Sequence, residues 1–277
     1  MNNQFIKIES VLYVVSTPIG NMQDISSRSL KILSLSDYIL CEDTRVTSKL
    51  LNFYKIKKKL VSFHAINEKQ KVNKILEDLK DQKVLSIVSD AGTPTLSDPG
   101  RLLISECRKV GIKVIPVPGA SAILSAVSVS GFQDNFYFCG FFPKKKNEIE
   151  NFLSKISLIK ATLVFFMPAR DLEKNSEYLI KFFPKSHFLI AREMTKVHET
   201  YISDIMINMK RYIQNNKKGE MTIVINNIGE EKNDINIDQE IDLLIGKMTS
   251  KNIVEYLSKK LEISKKIIYQ KVIDLNE

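Results

Sequence analysis

The chain has few cysteines, and they do not lie at the spacing of a metal site or a disulfide framework. Cys41, Cys107 and Cys139 are far apart in the 277 residues, and no CxxC pair occurs. This spacing argues against a structural zinc and against stabilisation by disulfides. Because each cysteine lies in an apolar stretch, we expect three small buried side chains in a reducing compartment.

Long apolar runs are also lacking. No window approaches the roughly 20 apolar residues that a membrane helix needs. The first ten residues carry Lys7 and Glu9 instead of the unbroken apolar core of a secretory signal. The sequence therefore predicts a cytoplasmic protein without membrane contact, and its 44% of hydrophobic residues can build a sizeable core.

Arginine is scarce although the chain is basic. The net charge is +9, carried by 34 lysines and only 7 arginines. A basic balance favours an acidic partner such as nucleic acid, although the abundance of Lys, Ile and Asn is also typical of an AT-rich genome. An arginine kept in such a chain is a candidate for bidentate binding of phosphate. Five of them fall in or beside the loops described below: Arg28, Arg45, Arg101, Arg170 and Arg192.

Short β-branched runs alternate with helical patterns through the first half of the chain, which predicts an α/β fold with a mostly parallel sheet. The clearest helix is Asn67 to Lys80, where apolar residues recur at helical spacing on one face. The predicted strands are Val11 to Ser16, Tyr38 to Cys41, Lys59 to Phe63, Val84 to Ser89 and Lys113 to Val117.

A second α/β unit follows a small-residue helix at Ala120 to Ser130. Its predicted strands are Phe136 to Phe142, Thr162 to Met167, His187 to Arg192 and Glu220 to Asn226. Its predicted helices are Asn147 to Ile156, Leu172 to Phe182 and Ile205 to Gln214. The order of its strands is left open, because one sequence does not define it.

The end of the chain differs in character from both units. A polar stretch is typical of a linker, and two helices with Ser250 and Ser264 as N-caps follow it. A lysine-rich pair of short helices resembles a helix-turn-helix, which is weak evidence of nucleic-acid contact. The predicted organisation is an N-terminal α/β domain at 1–131, a second α/β domain at 132–228, a linker at 229–238 and a helical tail at 239–277.

The loops after four predicted strands are unusually rich in glycine, proline and hydroxyl side chains. Ligands of an open parallel sheet bind beyond the carboxyl ends of its strands, and such loops let the main chain approach a ligand closely. None of these loops is a GxGxxG fingerprint or a P-loop. They predict a ligand site built largely from main chain. The segments are Ser16 to Asn21, Glu42 to Arg45, Ser89 to Gly100 and Pro116 to Ser121.

Eight segments together resemble one family in order and spacing: VLYVVSTPIGNMQDIS, CEDTR, SDAGTP, SDPG, PVPGASA, GFFP, AREMTK and KGEMTIV. The family is the ribosomal RNA small subunit methyltransferases I, a branch of the tetrapyrrole methylase superfamily, and the similarity covers Leu12 to Ile225. The resemblance implies two α/β domains with S-adenosylmethionine in the cleft between them, and a homodimer. It also implies 2′-O-methylation of a cytidine ribose in the decoding region of 16S rRNA, at cytidine 1402.

Matching motifs imply which residues hold the cofactor and the RNA. The implied cofactor-binding residues are Pro18, Asp90, Ala91, Gly92, Thr93, Gly119, Ser121, Ala122, Phe166, Met167, Met221 and Thr222. The best candidates for contacts with rRNA or the small subunit are Asn21, Arg28, Arg45, Lys49 and Arg192. No metal is expected, because methyl transfer from a sulfonium needs mainly alignment of donor and acceptor.

The catalytic group is less well defined by the sequence. A ribose hydroxyl is a poor nucleophile until a base takes its proton. The candidates are Asp43, Asp90, Glu193 and Lys196, and Asp90 is assigned to the cofactor because it begins a Gly-Thr-Pro turn, which leaves Asp43, Glu193 and Lys196. Asp43 could instead be a helix N-cap, and Glu193 with Lys196 could be a surface ion pair.

One segment departs from the family pattern. Where the family resembles FYESPHR, this chain has the shorter FFMPAR, without the acidic and imidazole side chains. We expect the chain to remain active, because the other loops are intact and Arg170 is kept. Two alternatives stay open: methylation of a small tetrapyrrole or another substrate on the same fold, and a non-catalytic RNA-binding assembly factor.

Overall fold

The computed structural model describes residues 11–133, 135–213, 219–227, 237–261 and 264–274. The chain forms two compact units, Met1–Asn227 and Ile228–Glu277. The first unit contains two five-stranded sheets, and the second contains helices. Within the described ranges, no helix is both long enough and apolar enough to cross a membrane.

The first sheet is entirely parallel, with the strand order β3-β2-β4-β1-β5. Its strands are β1 (Val11–Val15), β2 (Tyr38–Cys41), β3 (Lys59–Ser62), β4 (Leu85–Val88) and β5 (Lys113–Val117). Its helices are α1 (Ser27–Leu35), α2 (Thr44–Phe53), α3 (Glu68–Lys80), α4 (Arg101–Lys109) and α5 (Ala122–Ser128). Two separate apolar clusters contain the side chains of its strands, as expected for a sheet with both faces buried.

The second sheet is mixed, with the order β6-β7-β10-β8-β9; β6 and β7 are parallel, and the other pairs are antiparallel. Its strands are β6 (Phe136–Phe141), β7 (Ala161–Pro168), β8 (His187–Arg192), β9 (Thr200–Ile205) and β10 (Glu220–Asn227). Helices α6 (Lys146–Ile156) and α7 (Leu172–Phe182) complete this half.

The predicted helix at Ile205 to Gln214 is wrong in type and in extent. Thr200–Ile205 forms β9, which pairs with β8 along its whole length, and the following Met206–Tyr212 is a 3-10 helix. Met206 and Met209 are both fully buried, and a spacing of three suits a 3-10 helix better than an α-helix. The nine predicted strands are present, with ends that differ by at most one residue.

Helix α5 joins the two sheets. Its Ile123 and Ala126 are buried in one apolar cluster with Val164, Leu189 and Val224 of the second sheet. Because α5 also follows directly from the loop after β5, it fixes the carboxyl edge of the first sheet against the second sheet. That edge is where the sequence predicts the ligand site.

The C-terminal unit contains α8 (Ile237–Asp242), α9 (Ser250–Leu261) and α10 (Lys265–Asp274) around a small apolar core. The predicted cap at Ser250 is wrong by one residue, because the Thr249 hydroxyl accepts a hydrogen bond from the Asn252 N–H (3.4 Å). Ser264 precedes α10, as expected. The predicted linker lies outside the described residues except at 237 and 238, where α8 begins.

Candidate functional site

The loops after β1, β4 and β5 are held together by hydrogen bonds. Thr17 and Gly92 exchange two main-chain bonds of 2.9 and 3.0 Å. The Thr17 hydroxyl donates to the Ser89 carbonyl (3.1 Å), and the Thr93 hydroxyl donates to the Ala120 carbonyl (3.3 Å). These bonds connect the three loops and fix their positions relative to one another.

Left-handed backbone conformations shape the loop after β4. Gly92 has φ +80°, and Thr95 and Ser97 have φ of +72° and +73°. A non-glycine residue in this region is uncommon and costs energy, so two such residues mark a loop whose path is imposed by its surroundings.

The loop after β8, a strand of the second sheet, lies close to the loop after β1. The Asn21 N–H donates to the Thr195 hydroxyl (3.0 Å). A Cβ atom on Gly20 would lie 2.9 Å from the Met194 carbonyl oxygen and 2.6 Å from the Lys196 side chain. Only glycine allows the two loops to come this close.

A cavity of about 250 Å³ lies between these loops and the second sheet. Its wall is mostly apolar and includes sulfur-containing and aromatic side chains. The residues that line it are Ile19, Asp90, Ala91, Gly92, Thr93, Leu96, Asp98, Ser121, Ala122, Ile123, Phe141, Phe166, Met167, Pro168, Ala191, Glu193, Met194, Lys196, Glu220, Met221 and Thr222.

The charge of the cavity is opposite to that of the chain. Four acidic residues line it, Asp90, Asp98, Glu193 and Glu220, together with one basic residue, Lys196. The chain as a whole carries +9. Such a lining suits a ligand that is cationic and partly apolar, and S-adenosylmethionine, with its sulfonium, ammonium and adenosyl groups, has this chemistry.

The implied cofactor-binding residues line the cavity, except Pro18 and Gly119. A Cβ atom on Gly119 would lie 2.9 Å from the Ser16 Cβ, so this glycine permits close packing of two loops. Ser121 caps α5 by accepting the Leu124 N–H (3.4 Å). Ligand binding by these residues remains a prediction.

Glu193 and Lys196 form an ion pair of 3.0 Å at the edge of the cavity. Glu193 also accepts the Glu220 N–H (3.1 Å). Its burial would raise the pKa of the carboxyl, but these hydrogen bonds and the charges of Lys196 and Arg192 outweigh burial and lower it. A carboxylate held in this way is a weak proton acceptor.

Asp43 lies outside the cavity, at the start of α2. Its carboxylate accepts the Arg45 N–H (2.8 Å) and forms an ion pair of 2.6 Å with the Arg45 guanidinium, which lowers the pKa of Asp43 to about 2. Its own N–H donates to Asp90 (3.1 Å). The arrangement matches the alternative in which Asp43 is an N-cap.

The candidates for RNA contact are spread over two sides of the molecule. Arg45 is exposed, as is Lys49 one turn further along α2, and Arg28 is exposed in α1. Arg192 lines a separate small cleft with Ile190, whereas their neighbour Ala191 lines the main cavity. Because side chains alternate along a strand, Arg192 faces the opposite side of the second sheet.

Sequence reasoning missed two notable cavity residues. Phe141 is 60% exposed and lines the cavity, whereas its neighbour Phe142 is buried. Asp98 lies in the quoted SDPG segment but was not selected. Burial, the charge of Glu42 and the charge of Asp90 raise the pKa of Asp98 to about 6, against a hydrogen bond with Ser89. Because these loops are rich in glycine and proline, the sequence pointed to main-chain contacts, and the carboxylate of Asp98 was not considered.

The likeness to known proteins begins with the fold. The family model of Tetrapyrrole (Corrin/Porphyrin) Methylases matches residues 11–205. A solved diphthine synthase has a TM-score of 0.59 at 17% identity, over 78% of this chain and 89% of that one. Uroporphyrin-III-C-methyltransferase from Thermus thermophilus has a TM-score of 0.55 at 18% identity, over 79% and 96%. The fold and the cavity define a methylase of this class.

Curated relatives indicate a particular branch of the tetrapyrrole methylases. Ribosomal RNA small subunit methyltransferase I of Neisseria meningitidis serogroup A is 37% identical over 95% of this chain and 92% of the relative. The Rickettsia prowazekii protein of that name is 36% identical over 96% and 97%, and the Thermotoga maritima protein is 43% identical over 77% and 97%. The chain belongs to the ribosomal RNA small subunit methyltransferase I family of the tetrapyrrole methylases.

Proposed function

We propose that this chain transfers the methyl group of S-adenosylmethionine to the 2′-oxygen of a cytidine ribose in 16S rRNA, at cytidine 1402 by family resemblance. The observation that carries the proposal is the acidic, largely apolar cavity between the two sheets of a basic chain. The names of the relatives supply the substrate class.

The cavity offers a distinct surface for each part of the cofactor. Phe166, Met194 and Met221 supply apolar contacts for the adenosyl group, and the main chain from Asp90 to Thr93 supplies close polar contacts. When bound, the cofactor supplies an electrophilic methyl group on a cationic sulfur. The chain's own task is to hold that methyl group and the ribose oxygen in line.

The exposed cations of α1 and α2 support an RNA substrate. Arg45 lies next to Asp43, whose N–H bonds to the cavity residue Asp90, so a cation lies close to the cavity. Arg28 and Lys49 add exposed positive charge on the helices that follow β1 and β2. Such cations hold a phosphate backbone in register without reading its sequence.

The proposal also includes the oligomeric state, the compartment and the roles of the domains. We propose a cytoplasmic homodimer that acts on the rRNA of the small subunit. Residues 1–131 and 132–228 would enclose the cofactor from two sides, and residues 239–277 would form an accessory module.

The test is transfer of labelled methyl groups to purified small ribosomal subunits, free 16S rRNA and a tetrapyrrole, with nuclease mapping of the product. We expect label on a single cytidine ribose. Label on the tetrapyrrole would overturn the proposal in favour of the small-molecule alternative. Absence of cofactor binding in calorimetry would favour the non-catalytic assembly factor.

A further inference from the structure

Asp98 lines the cavity from a loop whose backbone is constrained on both sides of this residue. Thr95 and Ser97, just before it, are in left-handed conformations, and so is Gly100 at φ +117°. A Cβ atom on Gly100 would lie 2.7 Å from the Ile87 side chain, so the loop presses on the core. Glu68 accepts three N–H groups beyond Asp98, from Gly100, Leu102 and Leu103 (3.1 to 3.3 Å).

The other acidic groups near the cavity have different roles. The Glu193 carboxylate forms an ion pair with Lys196 and accepts the Glu220 N–H. The Asp43 carboxylate lies outside the cavity and forms an ion pair with Arg45. One oxygen of Asp90 accepts the Asp43 N–H. Asp90 and Glu220 are both exposed residues, whereas Asp98 is half-buried.

The segment that departs from the family pattern offers no proton acceptor in its side chains. Met167 and Pro168 form this part of the cavity wall, and Met167 is fully buried. A base for the reaction must therefore come from another loop.

We propose that Asp98 is the catalytic base that accepts the proton of the ribose 2′-hydroxyl, an assignment that rests on the proposed function. The oxygen forms a bond to the methyl carbon while the bond from that carbon to sulfur breaks and its electron pair stays on sulfur. The hydroxyl proton passes to the Asp98 carboxylate, so charge and atoms balance. The product is a methylated ribose and a neutral thioether.

The surroundings of Asp98 suit this role. Burial and the charges of Glu42 and Asp90 raise its pKa to about 6, and a hydrogen bond with Ser89 opposes them. Glu68 lies behind the loop. Burial and the charge of Asp90 raise the pKa of Glu42, and His64 opposes them. A carboxylate with a pKa near neutrality is largely ionised at neutral pH and is still basic enough to accept a proton. Activity should therefore rise with pH through about 6.

The first test compares Asp98→Asn with wild type, with Glu77→Gln as control. Glu77 is an exposed carboxylate on α3, so its variant makes the same change of net charge away from the cavity. We expect Asp98→Asn to lower kcat by about 100-fold or more. Calorimetry should still detect binding of S-adenosylmethionine, because Asp90, Glu193 and Glu220 keep the cavity acidic. Wild-type kcat in Asp98→Asn would overturn the assignment, and Asp98→Glu with partial activity would show that the loop still folds.

The second test uses Glu42→Gln, which removes a negative neighbour and should lower the pKa of Asp98. That pKa is measured by carbon NMR of labelled aspartate in the protein, and the acidic limb of kcat is measured in parallel. We expect both to move to lower pH together. A shifted NMR titration with an unshifted limb would overturn the assignment. A wild-type chain that methylates no RNA would instead overturn the proposed function.

Discussion

At the scale of the residue, Gly92 shapes the cavity through its backbone. Its φ of +80° lies in the left-handed region, and both of its main-chain polar groups are bonded to Thr17. A Cβ atom at this position would lie 3.3 Å from the Ile19 side chain, which also lines the cavity. A branched side chain here therefore enters the space that a ligand needs.

We expect Gly92→Val to abolish binding of S-adenosylmethionine while the protein stays folded. The unfavourable φ should lower the free energy of unfolding by about 1–3 kcal/mol. Calorimetry measures the binding, and urea unfolding measures the stability. Unchanged affinity would count against the assignment of the cavity.

Gly111→Val is the matched control for this change. Gly111 has a similar φ of +76°, but no heavy atom lies within 4 Å of its added Cβ. Its variant should have a comparable loss of stability with normal cofactor binding. A loss of binding in both variants would mean that general destabilisation is the cause.

At the scale of the element, the N-cap residue of α4 is a glycine, and a side chain of another helix accepts the first N–H groups of α4. Gly100 has no side chain to satisfy the first N–H groups, and Glu68 at the start of α3 accepts three of them. The negative carboxylate also interacts favourably with the positive end of the helix dipole. One side chain therefore fixes α3, α4 and the loop between β4 and α4.

We expect Glu68→Ala to lower the free energy of unfolding by about 1–2 kcal/mol, because the first turn of α4 loses its hydrogen-bond acceptor. Glu77→Ala on the same helix is the control. The Glu77 carboxylate forms an exposed ion pair of 3.5 Å with Lys74, so a change of at most about 0.5 kcal/mol is expected. Urea unfolding monitored by circular dichroism distinguishes the two. Equal small effects would show that water replaces the cap.

At the scale of the whole molecule, the cavity belongs entirely to the first compact unit. Every residue that lines it precedes Asn227. The Thermotoga maritima relative is matched over 97% of its length by only 77% of this chain, so a protein of this family exists without much of the remainder. We therefore expect the proposed cofactor site to form without the C-terminal helices.

We expect a chain that ends at Asn227 to remain folded and to bind S-adenosylmethionine as the full chain does. Its affinity for rRNA should be lower, because exposed lysines of α9 and α10, such as Lys251 and Lys266, are removed. Calorimetry and filter binding measure the two affinities.

A full-length Leu257→Ala variant is the control for the truncation, because it weakens the buried core of the helical unit while the chain length is kept. It should also bind the cofactor normally. Loss of cofactor binding in the truncated chain would contradict the independence of the first unit.

The sequence alone determined the parallel sheet and the position of the site. Strands of a parallel sheet end at one edge, so the loops after β1, β4 and β5 were expected on the same edge. The strand order of the structure makes these three loops neighbours. The local pattern also defined the strand ends within one residue. Strand β9 was not predicted, since its extended conformation depends on pairing with β8 rather than on its own periodicity.

Only the tertiary structure decided which side chains face the cavity. The register of the second sheet turns Arg192 away from the cavity and Ala191 towards it. The left-handed path at Thr95 and Ser97 brings Asp98 to the wall, whereas Asp43 caps α2. These outcomes depend on contacts between residues distant in sequence, which strand periodicity and loop composition do not encode.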